Sequence, residues 1–463
     1  MAVVEQTRET ETRYQVITHG STWRAIWHIS WPLVLNMAII SVAAITDVWV
    51  AGKLGFEAQA ALGFGGQIWN LIMMLAVALA AATTALVSRF WGAGDKLEAV
   101  EAARHSLLFA FCFGMASTVV GLVFGRPLLR FLGATGTVEE MGWQYMRLDL
   151  LTQIPWNLVW VANSIFRARG ETKVPMFTWT LITTMIVTCD FVFCLHPFHF
   201  GMTGLAMAAM FGSTLGCAVA LFLLRKSELG EALSFRGHLG WHKSTEWCKR
   251  ILRIGLPACV QDLAWLAGNF FFFIVFAKTA HPAACQAAWT VGIRLEEMLA
   301  GMPIYALAMG VGTIVGQNLG AQQPERAEKA GWQVAFIGAV VNTFFGAVMF
   351  FGAGSIATMM TSGEPLVVEY TKQFLQVLGP AEPFVALWLL LFGAMAGAGY
   401  TKWPMWATTI CMLAFRLPLA WVLTVQLHLV PNGAWIAMAS TAVILGLLGV
   451  WQFRKGHWKY QKV

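Results

Sequence analysis

Twelve apolar stretches follow one another along the chain, at roughly residues 28–51, 62–88, 104–125, 142–166, 175–197, 202–224, 251–277, 285–315, 331–353, 368–396, 403–428 and 433–453. Each is long enough to cross the roughly 30 Å of membrane hydrocarbon as a helix. A helical span takes about 20 residues, so twelve of them use most of the 463 residues. No soluble domain fits between them. The pattern predicts an all-α integral membrane protein of 12 transmembrane helices.

The polar connections repeat. "GETKVPM" at residues 170–176 returns as "GYTKWPM" at 399–405, an offset of 229. "RFWGAGDKLEAVEAA" (89–103) corresponds to "QNLGAQQPERAEKAG" (317–331) at an offset of 228, and Gly204 matches Gly433 at 229. With an even number of spans in each half, both halves enter and leave on the same side. The repeat is therefore parallel: two six-helix bundles related by a pseudo-twofold axis along the membrane normal. The expected organisation is a tail over 1–23, a first bundle over 24–226, a linker over 227–249, a second bundle over 250–453 and a tail over 454–463. In each "G-x-TK-x-PM" the Gly ends one helix and the Pro falls near the start of the next, where its missing N–H matters little. These loops read as structural.

Composition agrees with the membrane reading, since 58% of residues are hydrophobic and 12% charged, with a mean hydropathy of +0.63. Such a chain has too little polar surface to clothe a water-soluble globule of this size. Most of the 31 Lys and Arg fall in the N-terminal segment, the loops after even-numbered spans and the C-terminal tail. The opposite side holds Lys53, Arg126, Arg130, Arg147, Lys278 and Lys372. This bias puts both termini in the cytoplasm, and it makes the net charge of +7 a topology signal rather than a sign of nucleic-acid binding. The first 20 residues are polar and charged with no apolar run behind a basic start, so the first span is expected to act as its own insertion signal. The eight Cys mostly sit inside spans, without CxxC or a His cluster, and read as small apolar residues.

Chemistry belongs where charge is expensive. An ionisable residue inside a span costs roughly 2.5–3.5 kcal/mol on insertion scales, so function is its default reading. Asp47 lies about 28 Å into span 1 and Asp190 about 21 Å into span 5 at 1.5 Å per residue. Both spans run outward, so the two carboxyl groups can share the outer half of the first bundle. Their repeat partners are Phe272 and Leu419, which confines the pair to one bundle. An end-of-helix cap for Asp47 and a tying hydrogen bond or ion pair for Asp190 remain open alternatives. The second bundle holds Asp262, Arg294, Glu296, Glu297, Glu382 and Arg416. Opposite signs near mid-membrane most simply make a buried ion-pair network.

Five segments together carry a family resemblance: "WPLVLNMAIISVAAITDVWVAGKLG" (31–55), "VSRFWGAGD" (87–95), "RARGETKVP" (167–175), "TIVGQNLGA" (313–321) and "GAMAGAGYTKWP" (393–404). The chain resembles bacterial-type multidrug and toxic compound extrusion (MATE) transporters from about residue 24 to residue 450. The resemblance implies an alternating-access antiporter of the bacterial inner membrane that exports organic, often cationic and aromatic compounds in exchange for protons or sodium ions. It implies small-molecule substrates, the lipid bilayer as surroundings, a monomer and no cofactor. It also implies an acidic residue at each position of Asp47 and Asp190, which favours cation coupling there. Other branches of the family carry acids where this chain has Trp265 and Leu387, which leaves a displaced role for Asp262 open.

The driving ion divides the readings. Sodium-binding relatives are similar in placing an Asn and a Thr where this chain has Ile186 and Ala209, neither of which offers a side-chain oxygen. A sodium ion needs several hard oxygen ligands, and Asp47 with Asp190 supplies too few unless Thr188, Ser213 or backbone carbonyls join them. A proton needs one carboxyl group, and burial beside a like charge favours the neutral form. Proton exchange is expected, with sodium as the alternative at Asp47, Asp190 and Thr188. A lipid-linked precursor flippase would need more Lys and Arg inside the first half. No HExxH, GxSxG or Cys/His pair supports an intramembrane enzyme.

Overall fold

The computed structural model describes residues 15–195, 198–234, 241–361 and 364–462. These residues fold into helices throughout, which we number α1 (Thr22–Leu54), α2 (Phe56–Gly92), α3 (Lys96–Phe131), α4 (136–168), α5 (Lys173–Leu195), α6 (Met202–Lys226), α7 (Trp241–Phe276), α8 (Pro282–Gly320), α9 (Pro324–Met360), α10 (Pro365–Gly397), α11 (Lys402–Gln426) and α12 (Asn432–Lys455). Eleven are long and apolar enough to cross a membrane. The other is α4, whose two α-helical parts, Gly136–Asp149 and Gln153–Ala168, meet at a 3-10 turn, Leu150–Thr152. It is the polar one, with Asp149, Gln153, Asn157 and Asn163 all buried.

Two compact units divide the chain. One comprises His28–Arg253; the other comprises Ile254–Val463 together with Val16–Trp27. The second unit thus includes a piece of chain that precedes the first. Ile17 is completely buried there, and its carbonyl accepts from Arg326 Nη2 at 2.9 Å and Nε at 3.1 Å. Asn318 Nδ2 approaches the same carbonyl at 3.4 Å.

The repeated motif does the same job in both units. Gly170 and Gly399 take left-handed backbone angles, φ +84° and +79°, which a side chain would resist. Behind them, Glu171 N bonds Phe166 O and Tyr400 N bonds Met395 O, both at 2.9 Å, closing the helix ends. The Thr of each motif then donates across its own unit: Thr172 Oγ1 to His28 O at 3.4 Å, and Thr401 Oγ1 to Ile254 O at 3.0 Å. Both hydroxyls therefore fasten a loop to the entry of that unit's leading helix.

Packing differs between the units. In the second, a buried aromatic group joins Phe272, Phe276, Trp289, Phe374 and Trp435, with Trp289 and Trp435 stacked at 5.9 Å and an 8° interplanar angle. Elsewhere in the same unit, α8 and α10 approach so closely that a Cβ on Gly397 would collide with the backbone of Gly312. Small residues permit such contact where lipid offers no hydrophobic drive. The first unit relies on smaller clusters, one of them Val159, Trp160, Trp179, Ile182 and Ile186.

Residues at both ends of the linker expected over 227–249 make side-chain contacts. Lys96 Nζ reaches Glu228 Oε2 at 2.6 Å, Arg104 Nη2 donates to the Glu231 carbonyl at 2.9 Å, and Trp247, 2% exposed, stacks on His105 at 5.8 Å. Both ends of the linker therefore belong with the first unit. The tail expected over 454–463 also has structure, since Trp458 is fully buried and stacks on Phe453 at 4.6 Å.

Candidate functional site

In the first unit, α1 carries Asp47 and α5 carries Asp190. The two carboxyl groups lie within hydrogen-bonding reach of each other. Asp190 is fully buried, and among the described residues no N–H or hydroxyl donor serves either of its oxygens. Two carboxylates are both acceptors, so they bond to each other only when a proton lies between them. Two negative charges at such close range in a desolvated site are unstable together. The pair therefore needs a proton or another cation.

Local structure aims this pair. Asp190 is the last residue before a π-helical turn, Phe191–Leu195, a wide turn often found at functional positions. Phe191 packs its ring 5.7 Å from Trp49, two residues beyond Asp47, tying the neighbouring stretches of α1 and α5. Thr188 lies elsewhere: it is exposed, and its hydroxyl donates to Thr184 O at 2.7 Å. Ser213 is buried, with its hydroxyl donating to Met210 O at 3.2 Å. Ile186 belongs to the apolar cluster with Trp179 and Ile182. Among the described residues no group of three or more His, Cys, Asp or Glu could hold a metal ion.

Sequence reasoning missed the contribution of α4. Asp149, 4% exposed, lies within the electrostatic reach of Asp47, and Tyr145 senses Asp47, Asp149 and Asp190 together. Further along α4, Asn163 is fully buried with neither amide atom bonded to a described residue. The signal was available, because Asp149 is an acid inside a span and satisfies the criterion that singled out the other two.

The second unit does not form the expected single network. The only direct ion pair among its six described candidates is Arg294 Nη1 with Glu297 Oε2 at 3.4 Å, and the Arg294 side chain is 75% exposed. Glu296, the residue before Glu297, is half-buried beside it. It lines a cavity of about 40 Å³ together with Glu297, Arg416, Trp265, Tyr305 and Trp388. Arg416 is 3% exposed; its Nη1 donates to Asn269 Oδ1 at 3.0 Å, and its guanidinium lies 5.5 Å from the Phe272 ring centre. Glu382 is fully buried on α10, accepting from Asn342 Nδ2 at 3.0 Å through Oε2, while Oε1 has no described donor. Asp262 stands apart on α7, within electrostatic reach of Tyr305. Of the three neighbours on α8, Arg294 alone is exposed, while Glu296 and Glu297 are both half-buried and line the cavity.

Comparisons with known proteins agree with this architecture. The MatE family model matches residues 32–191 and 257–422, once in each half. The chain is 23% identical to a probable multidrug resistance protein NorM of Thermotoga maritima, covering 90% of this chain and 89% of that protein. It is 26% identical to a FAD transporter of Shewanella oneidensis, covering 86% and 87%. Its fold is similar to the outward-facing conformation of a multidrug resistance MATE family transporter of the MOP superfamily, with a TM-score of 0.89 at 23% identity over 97% of this chain and 99% of the other. With both halves matched by one family model and the fold shared over nearly the whole length, the chain belongs to the MatE family of multidrug and toxic compound extrusion transporters, multi-pass proteins of the membrane.

Proposed function

We propose that this transporter exports organic compounds, chiefly cationic and aromatic ones, from the cytoplasm in exchange for protons, with Asp47 and Asp190 carrying the exchange. The observation that supports this reading is the paired carboxyl groups on α1 and α5, with Asp190 wholly buried and without a donor among the described residues. A proton shared between them satisfies both. When it leaves, the site carries negative charge and favours a cationic ligand; when it returns, the ligand is released. A sodium ion would need more oxygens than the pair supplies. Ile186 offers none, and the Thr188 hydroxyl is exposed and already bonded to Thr184. The bias of Lys and Arg supports an inner-membrane orientation with both termini cytoplasmic.

The test is a reconstituted exchange. Proteoliposomes given a pH gradient in sodium-free buffer should move a cationic aromatic dye against its own gradient. Dye movement that ignores the pH gradient and begins when sodium is added would replace protons with sodium at this pair. Since a relative is named a FAD transporter, an anionic aromatic ligand should be run beside the dye.

A further inference from the structure

Asp149 is a third acid at the level of the carboxyl pair. Ala51 of α1, Cys194 of α5 and Tyr145 of α4 meet in one packed cluster of the first unit. Asp47 and Asp190 each lie four residues before their member of that cluster, and Asp149 lies four residues after its own. Since α4 runs opposite to α1 and α5, all three acids stand one helical turn, about 5.4 Å, to the same side of the cluster. Their charges meet accordingly: Asp149 is within electrostatic reach of Asp47, and Tyr145 is within reach of all three. Among the described residues no Lys, Arg or His bears on Asp149, and its carboxyl group makes no hydrogen bond or ion pair. A structural partner would explain its burial, and it has none. The polar run continues along α4, away from the cluster. Gln153 and Asn157 follow at four-residue steps, both buried, and Gln153 Nε2 and Asn157 Oδ1 are without partners among the described residues. Buried polar atoms are normally satisfied by protein or by ordered water, so this stripe is suited to hold water beside Asp149.

From this arrangement we propose that Asp149 is a proton-relay residue, which takes the proton that the Asp47 and Asp190 pair gives up and passes it to water along α4. The proposal rests on the reading of that pair as the site of proton exchange. Ionisable groups within spans commonly serve as such relays. The transfer balances in two steps. One O–H bond of the pair breaks and one forms on Asp149, through water, because the side chains of Asp149 and the pair make no direct hydrogen bond. The O–H bond on Asp149 then breaks in its turn, and a water molecule carries the proton away. Asp149 ends as it began, so it sets how fast protons move and not how many. The pair gains by its presence, since handing a proton to a near acid costs less than releasing it into apolar surroundings.

Proton release driven by ligand binding to the purified full-length protein, in weakly buffered detergent solution, tests this. Ethidium, a cationic aromatic dye, is mixed with the protein in a stopped flow while a pH indicator reads the protons released. Asp149→Asn keeps the shape of the side chain and should release as many protons as wild type. It should release them about a hundredfold more slowly, the lower end of what a positioned proton-transfer group contributes. Added formate, a small acid able to carry the proton instead, should restore the rate of the variant and leave wild type unchanged. If Asp149→Asn does not fold, Asp149→Ser should show the same slow release restored by formate. Ethidium that binds wild type without releasing protons defeats the exchange reading and the relay together. Release from wild type alongside an unslowed variant, slow release that formate does not restore, or fewer protons from the variant overturns the relay alone.

Discussion

Asp190→Asn isolates the exchange step. The side chain it replaces is fully buried and has no described donor, while Asp47 stands within hydrogen-bonding reach. An Asn amide at this position donates permanently to the Asp47 carboxylate, imitating the state in which the pair shares a proton. An amide-to-carboxylate bond contributes about 1.5–3 kcal/mol, so the variant should favour that state by about tenfold to a hundredfold. Folding should not suffer, because a neutral amide replaces a buried acid of the same shape. What is lost is the driving force. One charge moving through 100 mV supplies about 2.3 kcal/mol, equivalent to about a fiftyfold concentration ratio at about 1.4 kcal/mol per tenfold. Proteoliposomes containing the variant should let dye equilibrate but not accumulate when a proton gradient is imposed. Thermal unfolding in detergent should show the variant at least as stable as wild type at alkaline pH. The difference should shrink as pH falls, because the wild-type pair then holds the proton that the amide imitates. Accumulation equal to wild type would refute the assignment of Asp190, and loss of stability at alkaline pH would refute the account of its burial.

Further outcomes can be checked alongside it. Trp435→Ala removes a ring that packs on Phe276, Trp289 and Phe374; it should destabilise the second unit by about 3–5 kcal/mol, read as a lower melting temperature of purified protein. Gly397→Val should sharply reduce the folded yield, because the backbone of Gly312 occupies the space its side chain needs; a normal elution profile in size-exclusion chromatography would contradict the close approach. Trp247→Ala, which leaves His105 and Phe90 without their aromatic partner, should expose the linker end to limited proteolysis while wild type resists. A break near Gly240, which lies outside the described residues, should still let co-expressed halves regain transport, since the Glu228 end stays on the first fragment and Trp247, carried by the second, still has His105 and Phe90 to stack on.

How much was legible in the sequence depended on the range of the interaction. Helix length and side preference follow from local composition, so the run of spans could be read directly, and "G-x-TK-x-P" marked two helix ends before Gly170 and Gly399 were seen in left-handed angles. The hydrogen bonds that those two Thr make, to His28 and Ile254, depend on contacts well over a hundred residues distant and left no local trace. Asp47 and Asp190 stood out because charge is rare in apolar runs. Asp149 escaped notice because α4 is polar enough to hide it. The division of Arg294 from Glu296 is a matter of helix phase and partner, and nearness in sequence concealed it.

The π-helical turns bear on how the two halves diverged. A helix accommodates one inserted residue by widening a single turn, without breaking, and everything beyond it is rotated by about 100° relative to what precedes it. The spacing between matching positions drifts by three residues, of which one such turn accounts for at most one and the longer connection at 277–281 takes up others. Pro32 and Pro257 are 225 apart, whereas the segments beginning at 89 and 317 are 228 apart. Within that interval α8 contains the turn Glu297–Gly301, while its counterpart α2 is α-helical throughout. After duplication, then, the copies could drift in phase as well as in residue type. A widened turn changes which way the residues after it face, and a substitution alone does not do that.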